Sequence, residues 1–209
     1  RQNSKREIRT TLIIARSESW WFNLTEIMQS NNLRKLIQKT GFDFHRYHNS
    51  PNKLAWLSEY NIQTVLDVGA NVGQFADEIR NELSESFIYS FEPLKDCFEK
   101  LREREKNDSK FKVFNYALGE KGSTTNINRS SYSLSSSLLT MAESHKALFP
   151  HTKESVPEAI EVRRLDDVSK ELKLEKEILI KVDTQGYEDK VIAGGINTFG
   201  VARVAIIEA

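Results

Sequence analysis

The sequence predicts an α/β domain built on a doubly wound, mostly parallel sheet, and three observations predict it. From Tyr60 onward, strand-length apolar runs alternate with segments of helical periodicity, the pattern of successive βαβ units. The runs Thr64–Val68, Phe87–Phe91 and Ile178–Val182 are almost continuously apolar, as expected of strands covered on both faces. Each is followed or closed by an acidic residue (Asp67, Glu92, Asp183), which gathers charge at one end of the sheet.

The bulk composition narrows the partners. A chain of 209 residues fits one domain with an appendage. Lys+Arg is 30 and Asp+Glu is 30, a formal net charge of zero. That balance favours neither a nucleic acid nor an anionic membrane surface, and a small-molecule or glycan acceptor is easier to reconcile with it. The single cysteine, Cys97, excludes an internal disulfide framework and a cysteine-based metal cluster. It lies on the apolar face of a predicted helix beside Phe98 and Leu101, and reads as a buried structural thiol. No apolar run approaches the length of a membrane span, and no signal peptide opens the chain, so the expectation is a soluble, cytoplasmic protein. The sequence starts at Arg1 without a methionine and stops at Ala209 inside a predicted strand, which reads as a fragment or trimmed form.

Residues 1–60 are expected to form an N-terminal helical appendage, and residues 61–209 the main domain. The first eighteen residues are polar and basic except for Leu12-Ile13-Ile14, and read as a loose lead-in or a short strand. Between Trp20 and about Lys39, Trp21, Leu24, Met28, Leu33, Leu36 and Ile37 recur at helical spacing, broken by Asn31-Asn32. Trp20-Trp21-Phe22 is an aromatic cluster suited to core packing or to a homodimer contact. Ser50-Pro51 opens a further helix carrying Leu54 and Leu57.

In the main domain, strand Thr64–Val68 is followed by a helix bearing Phe75, Ile79 and Leu83. Phe87–Phe91 leads to a helix with Leu94, Cys97, Phe98 and Leu101 on one face. Phe111–Phe114 is the third strand. A long polar stretch, about 119–157, contains the Ser-rich run 130–137 and reads as a lid, an acceptor-binding loop or a linker, with a short strand at Ala159–Val162. Asp166 is expected to cap a helix with Val168 and Leu172. Ile178–Val182 is the fourth main strand, Tyr187, Val191 and Ile192 mark the next helix, and Val204–Ile207 is the fifth strand.

The chemistry concentrates at the strand ends. In Val65-Leu66-Asp67-Val68-Gly69-Ala70-Asn71-Val72-Gly73, a buried strand passes through a glycine turn straight into a helix. Gly69 and Gly73 allow close backbone approach to a ligand, and the helix start offers free N–H groups. A dinucleotide loop would read G-x-G-x-x-G; here Asp67 stands at the entrance, which disfavours a diphosphate and suits a cationic amino group. The alternative is a tight turn without a ligand. Glu92 can accept two hydrogen bonds from a ribose diol, or serve as a helix-start carboxylate. Asn115 and Ala117, with Leu118, can frame an adenine or form an ordinary loop. Asp183 ends the central strand and Glu188 lies in the first turn of the next helix; both can handle a proton or orient an acceptor, and Glu188 can equally complement the helix dipole.

In this order, the segments VLDVGANVGQFA, YSFEPL, FNYALG, RRLDD and IKVDTQGYE resemble the FkbM family of methyltransferases over roughly residues 54–209. The resemblance implies a Rossmann-like class I fold, S-adenosylmethionine as methyl donor, and transfer to a hydroxyl on a sugar, glycan, lipid or polyketide-type product. By position it places Asp67, Gly69 and Gly73 at the methionyl part, Glu92 at the ribose, Asn115 and Ala117 near the adenine, and Asp183 and Glu188 on the acceptor side, with Asn71 also among the donor-binding residues. Gln185 stands where the commoner D-V-E-G has an acid. The family's closing antiparallel hairpin is absent, which leaves the fifth strand as an edge to be covered.

A hydroxyl needs help to lose its proton, and Asp183 is the first choice of base, with His145 or His151 as the second. No two-histidine spacing supports a metal. The absence of a D/N-P-P-Y-type segment disfavours nucleobase or amide nitrogen. Two other readings stand beside O-methylation: transfer to nitrogen or protein, and a donor-binding module without catalysis.

Overall fold

The computed structural model describes residues 11–15, 43–46, 54–129 and 156–208, with side chains described over 54–127 and 158–208. Among the described residues, ten strands form two sheets. The larger is built from β1 (Thr11–Ala15), β2 (Asp43–Arg46), β3 (Thr64–Val68), β4 (Phe87–Phe91), β5 (Phe111–Phe114), β9 (Ile178–Val182) and β10 (Val204–Glu208), in the order β2-β1-β10-β9-β3-β4-β5. Every pairing in it is parallel. The helices are α1 (Gln74–Glu82), α2 (Lys95–Asn107), α3 (Leu165–Val168), α4 (Glu188–Gly194) and α5 (Ile196–Val201).

The side-chain period of two explains how one apolar strand serves two cores. Leu66 and Val68 of β3, Tyr89 and Phe91 of β4, and Ile180 and Val182 of β9 pack with Leu165, Val168, Val191 and Phe199 of α3, α4 and α5. Their neighbours Val65, Ile88 and Leu179 pack on the other face with Ala76 and Ile79 of α1 and Leu101 of α2. Helices therefore cover both faces, as the expected doubly wound sheet requires. Chain order reverses between β9 and β3, and ligands bind such sheets beyond the strand carboxyl ends at that switch point.

The described part of residues 1–60 adds strands to this sheet. β1 pairs with β10, Ile13 opposite Ile206, and β2 pairs with β1. The fifth strand is thus no edge: the Leu12-Ile13-Ile14 segment, with its β-branched residues, covers it. The helices expected between Trp20 and Lys39, the Trp20-Trp21-Phe22 cluster and the Ser50-Pro51 start lie outside the described residues. Leu57 is fully buried in a 3-10 helix, Ala55–Tyr60.

Two local expectations are corrected. Within the stretch read as a polar loop, β7 (Ser123–Arg129) pairs antiparallel with β8 (Val156–Arg163), which lies parallel to β6 (Ala117–Leu118) in a second, three-stranded sheet. In β7 only Ile127 is apolar and buried, so no hydrophobic alternation announces the strand. Asp166 does not cap its own helix, which is only Leu165–Val168 and excludes Leu172. Its carboxylate reaches α5 instead: Oδ1 accepts from Thr198 N and Oγ1, both at 2.8 Å, and Oδ2 from Asn197 Nδ2 at 2.8 Å and N at 3.2 Å.

Candidate functional site

The turn after β3 is shaped by what stands beside it. Gly69 has φ of 79°, and a Cβ there would fall on the carbonyl oxygen of Asp183, so only glycine fits for both reasons. Gly69 N and Ala70 N donate to Phe91 O at 3.0 and 3.2 Å, and Asp183 N donates to Val68 O at 3.0 Å. The ends of β4, β3 and β9 are thereby laced together. Asn71 (φ 50°) and Gly73 (φ 96°) complete a left-handed path into α1.

Glu92 ties this turn to the next unit. Its Oε2 accepts from Asn71 N at 2.8 Å and its Oε1 from Leu94 N at 2.9 Å. The side chain is buried, and burial pushes its pKa up to about 7 against the pull of those two N–H groups. Asn115 is exposed and donates through Nδ2 to Glu92 O and Pro93 O, at 3.0 and 2.9 Å, which fixes the path after β4. Ala117 sits apart from it, packed with Leu94, Cys97, Ile127, Ile160 and Val162 between α2 and the small sheet. Cys97 is buried there as expected, its thiol 3.5 Å from Asn71 Oδ1.

Asp67 faces inward. Register sets Ser90, Asp67 and Lys181 in one row across β4, β3 and β9. Asp67 is fully buried; its Oδ2 accepts from Ser90 Oγ at 3.3 Å, and its Oδ1 lies 3.7 Å from the Lys181 ammonium without a hydrogen bond of normal length. Burial raises its pKa despite the ammonium and the serine. Burial alone would lower the Lys181 pKa, but Asp67, Asp183 and Glu208 outweigh it and hold it above the ordinary lysine value. The cation expected to meet Asp67 is therefore met by the chain itself.

Asp183 continues past β9 at the switch point, a quarter exposed. Lys181 Nζ donates to its Oδ2 at 3.4 Å and Gln185 Nε2 to its Oδ1 at 2.7 Å. Glu188 is not a surface acid: it is buried, and its Oε1 accepts from Thr184 N and Gly186 N at 3.0 Å and Thr184 Oγ1 at 3.1 Å. It shapes the loop that presents Asp183.

Gly69, Asn71, Gly73, Glu92 and Asp183 thus meet at the strand ends, with Asn115 bracing the segment after Glu92. Asp67 lies beneath them and Glu188 holds the neighbouring loop. His145, His151 and the Ser-rich run lie outside the described residues. Sequence reading misses Lys181, Ser90 and Glu208; the signal for Lys181 is a lone cation inside the apolar run Ile178–Val182. Among the described residues there is no group of three or more His, Cys, Asp or Glu able to hold a metal, and no helix long and apolar enough to cross a membrane.

Comparison with known proteins gives one relative and one structure. The chain is 28% identical over 151 residues to the 2-O-methyltransferase NoeI of Sinorhizobium fredii (strain NBRC 101917 / NGR234), covering 69% of this chain. It spans 62% of that relative's length. The crystal structure of Methyltransferase FkbM from Methylobacillus flagellatus KT aligns over 82% of this chain and 45% of its own, with 15% identity and a TM-score of 0.43. The sequence family described as the Methyltransferase FkbM domain matches residues 67–209, and by that match over more than half its length the chain belongs to the FkbM methyltransferase family.

Proposed function

We propose that this chain is an S-adenosylmethionine-dependent methyltransferase that methylates a hydroxyl on a glycan, glycolipid or secondary metabolite. The observation that carries the reading is the meeting of the Gly69 turn with Asp183 at the switch point, with Glu92 across the same strand ends. Family membership and the 2-O-methyltransferase relative support it.

The residues present fit the donor. Gly69 lets the turn lie directly against the Asp183 carbonyl and Gly73 keeps a φ of 96° into α1, so the turn and the β9 end close on the crevice where the donor would lie. The two oxygens of Glu92 each take one backbone N–H, and a carboxylate has about four acceptor positions, so a ribose diol can use the remainder. Glu92 is 5% exposed, so a diol reaches it only as the Asn71 turn moves off. Asp67, paired with Lys181, would anchor the floor and not touch the donor.

When bound, S-adenosylmethionine supplies an electrophilic methyl group on a sulfonium; the acceptor oxygen contributes the new bonding pair and the old pair stays on sulfur. The chain supplies orientation and a proton acceptor. Asp183 is the group placed to take the hydroxyl proton, with Lys181 and Gln185 fixing its carboxylate.

The test is incubation of the purified chain with methyl-labelled S-adenosylmethionine and methyl glycosides bearing a free 2-hydroxyl. Label in a product ether, lost in Asp183→Asn, supports the reading. Donor binding without transfer to any hydroxylated acceptor would instead identify a non-catalytic binding module.

A further inference from the structure

Asp183 has a second carboxyl beside it. β9 and β10 run parallel in a register that pairs Val182 with Ile207, so the residues that follow, Asp183 and Glu208, stand side by side at the strand ends. The nearness of Asp183 adds to burial in holding the Glu208 carboxyl above the ordinary glutamate value. Two carboxyl groups set side by side can hydrogen-bond to each other only when one of them holds a proton, because a carboxylate offers acceptors alone.

The groups facing this pair settle which one. From β9, the Lys181 ammonium lies 3.4 Å from Asp183 Oδ2. From β3, Asp67 flanks the same ammonium at 3.7 Å; Lys181 is buried between the two acids and keeps its charge. From the following loop, Gln185 Nε2 donates to Asp183 Oδ1 at 2.7 Å. A glutamate at 185 would bring a third carboxyl to this point and no donor. Both donors are aimed at Asp183, so the negative charge belongs on Asp183 and the proton on Glu208. Burial, then the adjacent Asp183, hold the Glu208 carboxyl above the ordinary glutamate value, in the same direction.

We propose that Glu208 is a positioning residue that shares one proton with Asp183, and that this carboxyl pair collects the proton of the acceptor hydroxyl. The proposal rests on the reading of Asp183 as the proton acceptor. The proton balance closes: the acceptor O–H bond breaks, its electron pair stays on oxygen, and the proton passes to the Asp183 carboxylate. The pair then holds two protons. Glu208, which is partly exposed, gives one to water, and the one-proton pair is restored.

The experiment is a pH titration of side-chain carboxyl carbons by NMR, in protein labelled with carbon-13 at Asp and Glu. The Glu208 signal, assigned by its loss in Glu208→Gln, should titrate above the ordinary glutamate range. In Asp183→Asn it should fall by about one unit or more, and Glu208→Asp should retain an elevated carboxyl where Glu208→Gln cannot. Gln185→Glu changes an exposed side chain and should raise the Glu208 titration further, which gives a readout that leaves Asp183 in place. A Glu208 carboxyl in the ordinary range, or one indifferent to both Asp183→Asn and Gln185→Glu, overturns the proposal. If the shared proton is found while Asp183→Asn leaves methyl transfer undiminished, the assignment of Asp183 as base falls and the pair stands.

Discussion

The Lys181 ammonium lies 3.7 Å from Asp67 Oδ1 across the β9–β3 pairing, with Asp67 fully buried and Lys181 nearly so. The two are not equally dependent on each other. Lys181 has Asp183 as a second anion at 3.4 Å, whereas Lys181 is the cation paired with Asp67. Lys181→Met should therefore cost about 3–5 kcal/mol at neutral pH, the usual result of leaving a buried charge alone. Asp67→Asn, which keeps a partner for Ser90 and leaves Lys181 with Asp183, should cost about 1–2 kcal/mol. The deficit of Lys181→Met should shrink as pH falls, because the raised Asp67 pKa rises further without its cation and the group takes up a proton. Chemical denaturation at two pH values checks this; an Asp67→Asn variant that is the worse of the two refutes the asymmetry.

Two glycines should respond to alanine in opposite directions. Gly69 combines a left-handed backbone with a Cβ position already taken by the Asp183 carbonyl, so Gly69→Ala should cost at least about 2 kcal/mol and displace the β9 end. Gly200 lies in α5, has no left-handed φ, and has nothing within 4 Å of the position that an added methyl group would take. Gly200→Ala should stabilise by about 0.5 kcal/mol through helix propensity and a less free unfolded chain. Thermal melting of both variants reads the sign directly.

Asp166 joins α3 to α5 through four hydrogen bonds from Asn197 and Thr198. Asp166→Ala leaves buried donors unmatched and should cost about 3 kcal/mol, with Asp166→Asn recovering part of it. Burial alone would raise the carboxyl pKa, but these bonds outweigh it and hold it below the ordinary 3.8. A lowered folded-state pKa means the stabilisation is present above about 3.8 and is lost as pH falls through the lower folded value. The stability of wild type should therefore fall more steeply with pH below about 3.8 than that of Asp166→Asn, which lacks the titrating group; an equally steep acid limb in the two refutes it.

The parts of the fold that are legible in the sequence are those where burial writes the pattern. Thr64–Val68, Phe87–Phe91, Phe111–Phe114 and Ile178–Val182 are predicted with the observed limits because each is apolar on one or both faces and is closed by a turn. β7 is not, since Ile127 alone faces its core, and β2 is not, since Asp43-Phe44-His45-Arg46 carries no alternation and is a strand only because β1 stands beside it. At the site, sequence order shows which acids end strands but not which way they face. Asp67 and Lys181 belong to strands more than a hundred residues apart, and only the β3–β9 register sets them in one row. Glu188 looks like a helix-start acid because its real partners, Thr184 and Gly186, lie in a loop whose path depends on Gln185 at φ of 56°.

Glu92 makes donor binding pH-dependent with a definite sign. Its folded pKa of about 7 lies above the ordinary 4.5 because burial opposes its charge, so its contribution to stability is full below about 4.5 and is lost as pH rises through about 7. A ribose diol donates its hydrogens, and the ionised carboxylate is the better acceptor. Binding below the folded pKa must therefore first expel a proton. The affinity for S-adenosylmethionine should weaken by up to about tenfold per pH unit below about 7 and level off above it. Glu92→Gln should remove this dependence and weaken binding at all pH values, because an amide NH2 would also face Asn71 N or Leu94 N in place of an acceptor. Calorimetry between about pH 6 and 8 in two buffers of different ionisation enthalpy measures affinity and proton release together. A flat affinity with no proton released would separate Glu92 from the donor and leave it as a clasp between the Asn71 turn and α2.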